Sequence, residues 1–269
     1  MSSITFTTRD LPSKGLFYDR VYNITLHSLS LGQYKELMRS SESFYKVNII
    51  KVLSEIVESD GLDVSSMFYG DVMSLLMWYK CNSSIETNLS FTKVCDRCQN
   101  KIEFFVNLGE FDLEDIEGYG NGVELPSGRF LEFSPKTFIE YEKSKDVIGH
   151  ICNVFKYLTP NDIDNMDLDD FLYLKDYVEN FNMGFKYKGE ISCHFCRNRY
   201  KVELDADVDY VMKRVDYNII MKNIFHISKY ANYKFTNDED LFDYETSIGI
   251  VGEMMDKESE DYEKLSKKR

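Results

Sequence analysis

The chain has 269 residues, and its 46 Asp and Glu outweigh 32 Lys and Arg to give a net charge of −14. A hydrophobic content of 43% with 19 Tyr and 19 Phe indicates a folded protein with a sizeable core and excludes a disordered one. The acidic balance disfavours nucleic acid as a partner, because phosphate binding depends on a positive field. No apolar run has the length of a membrane span and the first residues lack a signal-peptide pattern, so we expect a protein of the reducing cytoplasm with no membrane partner.

The N-terminal part, residues 1–90, is predicted to hold a β-turn unit followed by helices. Residues 11–15 (LPSKG) predict a turn, because Pro fixes one φ angle and Gly permits a positive one. Residues 16–18 and 21–26 are rich in β-formers and predict two short strands. Over residues 31–83, apolar side chains recur at helical spacing and predict three helices that pack against one another.

Four of the six cysteines form two CxxC doublets, Cys95 with Cys98 and Cys193 with Cys196. Each doublet lies between short segments of alternating apolar and polar residues, which predicts strand, tight turn and strand. Two such knuckles supply the ligands of a closed tetrahedral zinc site. We therefore predict one structural zinc ion on these four cysteines, in a zinc ribbon split between residues 91–106 and 183–206. The same four cysteines could instead bind iron, and the sequence does not distinguish the two metals.

The distance between the doublets departs from a compact ribbon, because 94 residues separate them where about 15–20 are usual. A whole subdomain, residues 107–182, must then be inserted between the two knuckles. Two other interpretations stay open: a thiol oxidoreductase, although neither doublet lies at a helix start in a βαβ pattern, and unligated buried cysteines. His194 lies between two predicted ligands and is expected to be an exposed side chain.

The inserted subdomain is predicted to be a hairpin followed by helices. Residues 123–125 and 130–133 flank a PSG turn and predict the hairpin. Ser134 with Pro135 predicts the start of the first helix, and residues 159–161 (TPN) its end. A second helix is predicted over residues 167–180. The acidic residues around its start are interpreted as helix caps and surface: Asp162, Asp164, Asp167, Asp169 and Asp170.

The C-terminal part, residues 207–269, is predicted to be helical. Residues 208–230 predict one amphipathic helix, and a last helix is predicted from residue 238 toward residue 255. Residues 256–269 are highly charged and are expected to be frayed or held by a partner. The predicted fold class is therefore α+β, mainly helical, with a zinc-ribbon-like pair of β-knuckles split by a hairpin-plus-helices insertion.

No set of residues predicts catalysis. The chain has four His, none near a Ser or Cys in a nucleophile motif, and no Walker loop, GxGxxG or HExxH. A four-cysteine site leaves zinc no open position for a substrate, so the metal would be structural. We expect neither an enzyme nor a small-molecule substrate.

Four segments carry a resemblance to a known family: residues 11–18 (LPSKGLFY), 24–32 (ITLHSLSLG), 70–80 (GDVMSLLMWYK), which lead toward the first doublet, and 170–174 (DFLYL). Together they resemble the baseplate hub protein family of contractile-tailed, T-even-like bacteriophages. The resemblance implies a hub component of the virion tail, or a hub assembly factor in the cytoplasm of the infected bacterium. It also implies that the partners are other baseplate hub or tail assembly proteins and that the protein has no enzymatic activity.

A zinc-ribbon nucleic-acid-binding or transcription-related factor is the alternative function. Basic residues accompany both knuckles and would form its binding face: Arg97, Lys101, Arg197, Arg199 and Lys201. In so acidic a chain we interpret them as screening the charge of a four-thiolate site, so nucleic acid is not the expected partner.

Overall fold

The computed structural model describes residues 3–39, 44–83, 87–116, 120–142, 144, 146–180, 184–212, 215–231, 233–238 and 240–266. Within them the chain is a mixture of helices and small antiparallel sheets, which confirms the α+β prediction. No helix of these residues is long and apolar enough to cross a membrane.

The N-terminal part combines a three-stranded sheet with three helices. The strands are β1 (Ser3–Thr7), β2 (Asn23–His27) and β3 (Val57–Ser59), paired antiparallel in the order β1-β2-β3. The helices are α1 (Leu31–Arg39), α2 (Tyr45–Ile56) and α3 (Tyr69–Ser83), as the periodicity of residues 31–83 predicts. Their apolar faces supply much of the largest core cluster.

The turn at residues 11–15 is held by a buried carboxylate on α3. The N–H of Ser13 donates to Oδ1 of Asp71 at 3.0 Å, and the Tyr18 hydroxyl donates to Oδ2 at 2.7 Å. Gly15 takes a φ of +75°, as the turn requires. Burial raises the pKa of Asp71, and the hydrogen bonds from Tyr18 and Ser13 lower it in part. The prediction of a strand over residues 16–18 is wrong, because this segment turns to direct Tyr18 toward α3 instead of pairing with a strand.

Each cysteine doublet joins the two strands of a hairpin, as predicted. The first hairpin pairs β4 (Asn88–Val94) with β5 (Lys101–Asn107), and the second pairs β9 (Gly184–Ser192) with β10 (Arg199–Asp205). Strand β6 (Asp112–Glu114) extends the second sheet on the other side of β9. Residue 183, the predicted start of the second knuckle segment, lies outside the described residues.

The predicted hairpin of the insertion consists of β7 (Gly122–Glu124) and β8 (Phe130–Glu132). It packs with α4 (Val147–Val154), α5 (Pro160–Asp164) and α6 (Leu168–Asn180) around a second core cluster that includes Phe133, Phe155 and Leu174.

Three predictions within the insertion are wrong. The first helix begins at Val147 with Asp146 as its cap, because Ser134 is engaged in an extended bridge beside Phe155. That helix ends before Thr159, whose side chain instead caps α5. Asp170 is buried, not at the surface: its carboxylate accepts hydrogen bonds from the N–H and the hydroxyl of Ser127 at 2.9 and 2.6 Å.

The C-terminal part forms α7 (Val208–Val211), α8 (Tyr217–Ala231) and α9 (Leu241–Ser266). The prediction of one helix over residues 208–230 is wrong. Asp207 caps a short α7, which ends at Val211, and α8 begins only at Tyr217. The backbone of α9 stays helical as far as Ser266, where residues 256–269 were expected to be frayed or held by a partner. That a partner holds this segment stays a prediction.

The C-terminal part packs back onto the N-terminal part. The Leu241 N–H donates to the Leu29 carbonyl at 3.0 Å, and the Gly32 N–H donates to the Asn237 carbonyl at 2.8 Å. The hydroxyl of Ser28 donates to Asp240 at 2.8 Å. The largest core cluster therefore joins both ends of the chain, while the second cluster lies within residues 116–178. The division into four parts, of which residues 91–106 and 183–206 together form one, stays a prediction, as do the other three parts at residues 1–90, 107–182 and 207–269.

Candidate metal centre

The two cysteine turns have the same backbone geometry. In each, the first cysteine donates its N–H to the carbonyl of an asparagine five residues later: Cys95 to Asn100 and Cys193 to Asn198, both at 2.9 Å. The residue after each second cysteine has a φ of +59°. The sequence pattern CxxCxN, repeated 98 residues apart, thus specifies one turn twice.

The strands around the turns are also in matching register. Val94 pairs with Lys101 in the first hairpin, and Ser192 pairs with Arg199 in the second, each 98 residues further along the chain. Matching registers put the two pairs of sulfurs at equivalent ends of two equivalent ladders, so the hairpins can face each other with all four thiols between them.

The four sulfur atoms lie within 4.8 Å of one another. The Sγ atoms of Cys95 and Cys196 are 3.6 Å apart, and so are those of Cys98 and Cys193. A zinc ion bonded tetrahedrally to four sulfurs at about 2.3 Å would separate them by about 3.8 Å, whereas a disulfide requires about 2.05 Å. The spacing therefore fits a bound metal ion, and all four cysteines are free thiols.

The pKa values of the clustered thiols are shifted in opposite directions. Burial raises the pKa of Cys95, but the Tyr200 hydroxyl and the backbone N–H of Cys98 outweigh it and bring the value to about 6. At Cys196 the Asn198 N–H lowers the pKa, but burial and the neighbouring sulfurs raise it to about 12 overall. Thiolates this close repel one another, so full ionisation of the set needs a cation between them.

Burial encloses the centre on one side. Cys95 and Cys193 are almost fully buried, and Cys98 and Cys196 are half-buried. Ile102 and Tyr200 complete a small core cluster around the sulfurs, separate from the two larger clusters. The site can therefore stabilise a fold, since an ion bonded to all four sulfurs would have no coordination position left for a substrate.

Tyr200 is a polar neighbour of this cluster that sequence reasoning missed, and the side-chain amide of Asn100, 3.4 Å from Sγ of Cys98, is another. The Oη of Tyr200 lies 2.8 Å from Sγ of Cys95, a predicted ligand on the other hairpin, and the ammonium of Lys93 lies over its ring at 4.8 Å. Position 200 is the equivalent of Ile102, seven residues after the first cysteine of its hairpin. The sequence does contain a sign of this contact: the second hairpin has a tyrosine at the buried position where the first hairpin has Ile102.

We expect Tyr200→Phe to weaken metal retention by about 10–100-fold while leaving the protein folded. The change removes the hydroxyl that lies within hydrogen-bond distance of Sγ of Cys95 and keeps the ring that packs beside Ile102. Competition with a chromophoric chelator measures the affinity. Tyr173→Phe, at an exposed position on α6 outside the sulfur cluster, is the matched control, and equal metal affinity in both variants would contradict the assigned role.

The remaining predicted residues lie where the sequence suggests. His194 is exposed and is not part of the sulfur cluster, and the five basic residues at the two hairpins are exposed as well. Cys81 and Cys152 lie elsewhere in the chain. Among the described residues, the four cysteines are the one group of three or more potential metal ligands whose donor atoms come together.

A family model described as T4 bacteriophage base plate protein matches residues 1–210. No curated protein and no solved structure matches the chain. The matched region contains the turn at residues 11–15, both cysteine hairpins and the whole insertion, and it confirms the resemblance to a phage baseplate protein. Since the match covers well over half of the sequence, the chain belongs to the T4 bacteriophage base plate protein family.

Proposed function

We propose that the protein is a non-enzymatic baseplate hub protein, a structural subunit or an assembly factor, that acts through contacts with other tail proteins. The observation that carries this proposal is the family match over residues 1–210. The sequence contains no recognised catalytic motif, and a metal bonded to all four cysteines would have no position left for a substrate. Both features agree with a role in assembly. Its place of action would be the host cytoplasm during assembly and the baseplate of the virion tail.

We propose further that Cys95, Cys98, Cys193 and Cys196 hold one structural zinc ion. The two hairpins lie at the two ends of residues 107–182, so an ion between them fastens the base of the insertion. Metal analysis of the purified chain tests the identity of the ion. One zinc ion per chain is expected. One iron ion per chain, with an absorption band in the visible range, would show that the site binds iron instead.

A zinc-ribbon nucleic-acid-binding factor is the second candidate. Its support is the exposure of all five basic residues at the hairpins, three of which are Arg97, Arg197 and Arg199. The net charge of −14 opposes it, since a nucleic acid would be repelled by most of the surface. Binding of a DNA duplex that falls steeply with salt would favour this candidate over the hub protein.

Mass spectrometry of purified finished tails, searched for this chain, tests the hub proposal. Presence at fixed stoichiometry to other baseplate proteins would make the protein a structural subunit. Absence from tails, with the chain abundant on tail intermediates in infected cells, would make it an assembly factor. Absence from tails and from their intermediates would overturn the proposal.

A further inference from the structure

The cysteine hairpins end in a basic, aromatic tip. We define the hairpin tip as residues 93–101 and 192–201, which contain six Lys and Arg against a single Asp, in a chain whose net charge is −14. Phe195 lies between the two cysteines of the second hairpin and is 68% exposed. A large exposed aromatic side chain surrounded by cations is typical of an anchor that enters a pocket on a partner.

The opposite end of the second hairpin borders an acidic cleft, whose charge is opposite to that of the hairpin tip. This acidic cleft has a volume of about 660 Å³ and lies between α3, the start of β9, the end of β10, and helices α4 and α6 of the insertion. Aromatic rings of Phe68, Phe91 and Tyr210 form part of its wall. Its carboxylates are those of Asp146, Glu179, Glu203, Asp205 and Asp207, against two lysines, Lys136 and Lys186.

The charge of the cleft is only partly neutralised from within. Lys186 donates to Glu203 at 2.8 Å and lies 3.9 Å from Asp205, while the Asp205 side chain remains 76% exposed. A volume of this size accommodates an aromatic side chain with one or two neighbours. An apolar wall with a surplus of carboxylates fits an occupant that combines an aromatic ring with arginine or lysine.

We propose that the acidic cleft binds the hairpin tip of a second copy of this chain, with Phe195 as the anchor. The tip cannot enter its own cleft, because Lys186 in the cleft and Cys193 at the tip are seven residues apart on one extended strand, about 23 Å at 3.3 Å per residue. The contact is therefore heterologous: each copy offers a tip to one neighbour and a cleft to another. Repetition of such a contact gives a ring or a filament, not an isolated dimer.

The proposal is independent of the hub assignment, since it concerns only how copies of the purified chain associate. Sedimentation velocity of the metal-loaded, full-length protein over a range of concentrations measures it. We expect species beyond the dimer at low salt, and their loss as the salt rises, because the charges at the rim of the contact are exposed and screened within about 10 Å at 0.1 M. A small contact of this kind associates weakly, so high protein concentrations are needed.

Two variants separate the halves of the contact. The tip variant is Phe195→Ala with Arg199→Glu, and the cleft variant is Glu179→Lys with Asp205→Lys; none of these side chains is buried. Each variant alone is expected to be monomeric. Mixed together, they retain one intact tip and one intact cleft, so they should form a 1:1 complex and nothing larger. Tyr157→Ala with Lys156→Glu makes the same chemical change at an exposed site elsewhere and should associate like the wild type.

Metal content and melting temperature, equal to those of the wild type, confirm that each variant is folded. A wild-type protein that stays monomeric at low salt and high concentration would overturn the proposal. So would a symmetric dimer that survives in both variants, or salt-sensitive binding of a DNA duplex that only the tip variant loses while the wild type remains monomeric.

Discussion

Replacing Cys193 and Cys196 together by serine is expected to abolish stoichiometric metal binding and to make the chain insoluble or sensitive to protease. Two thiolates are left, and they cannot complete a tetrahedral site. An ion held by all four thiolates would join positions about 100 residues apart in the folded chain, and the unfolded chain, in which these positions separate, would lose it. The binding free energy of the ion adds to the free energy of unfolding.

The measurement is metal content with thermal melting and limited proteolysis, in parallel on the wild type, the double variant and chelator-treated wild type. Cys81→Ser is the matched control, because Cys81 is exposed and lies outside the cluster. It should keep its metal and its melting temperature. Unchanged melting of the double variant, together with a wild type that contains no metal, would refute the metal site.

Asp71→Ala is expected to lower the free energy of unfolding by about 3–5 kcal/mol. Asp71 is 1% exposed and accepts hydrogen bonds from the Ser13 N–H and the Tyr18 hydroxyl, which alanine would leave buried without a partner. The loss also frees the turn at residues 11–15 from α3. Asp71→Asn keeps the size of the side chain and one carbonyl acceptor, so we expect a smaller loss, about 1–2 kcal/mol near pH 4.

The difference between wild type and Asp71→Asn should depend on pH with a defined sign. Burial raises the pKa of Asp71 in the folded state above its ordinary value of 3.8, so the folded state holds the proton more tightly than the unfolded state. The stability of the wild type relative to the variant is then greatest below pH 3.8. It falls as the pH rises from 3.8 through the raised pKa. Denaturant unfolding of both proteins from pH 4 to pH 8 measures this, and a relative stability of the wild type that rises with pH would contradict it.

The cysteine site was predictable because its information is local and repeated. A CxxC between alternating strands specifies a knuckle wherever it lies, and two knuckles of the same type imply a shared ion even across an insertion of 94 residues. What the sequence could not supply is the neighbour from the other hairpin. The contact of the Tyr200 hydroxyl with Cys95 joins residues 105 apart, and no periodicity encodes it.

The helices α1 and α2 were predictable for a similar reason, since burial of one face imposes a 3.6-residue period on their apolar residues. Helix α3 differs, because residues 71–77 are buried on every side and its helical form shows in a mostly apolar run. The errors arise where a distant partner overrides local propensity. Residues 16–18 have strand-forming side chains, yet the hydrogen bond of Tyr18 to Asp71 requires a turn. Ser134 and Pro135 form a good helix start, but Ser134 pairs beside Phe155. Asp170 lies among acidic residues typical of an exposed helix start, but it is buried and accepts a hydrogen bond from the Ser127 hydroxyl.

The contacts between the two ends of the chain have a consequence for the order of events in synthesis. Leu31 has no exposed surface, and a Cβ atom at Gly32 would lie 2.9 Å from the Asn237 carbonyl, so the first turn of α1 is shaped to accept residues made more than 200 positions later. Contacts of such long sequence separation form slowly, because the intervening chain must be ordered first. Helix α1 is therefore made long before its partner and is among the last elements to be completed. Nascent chains arrested before residue 237 should be cut by protease near α1, and released chains should not.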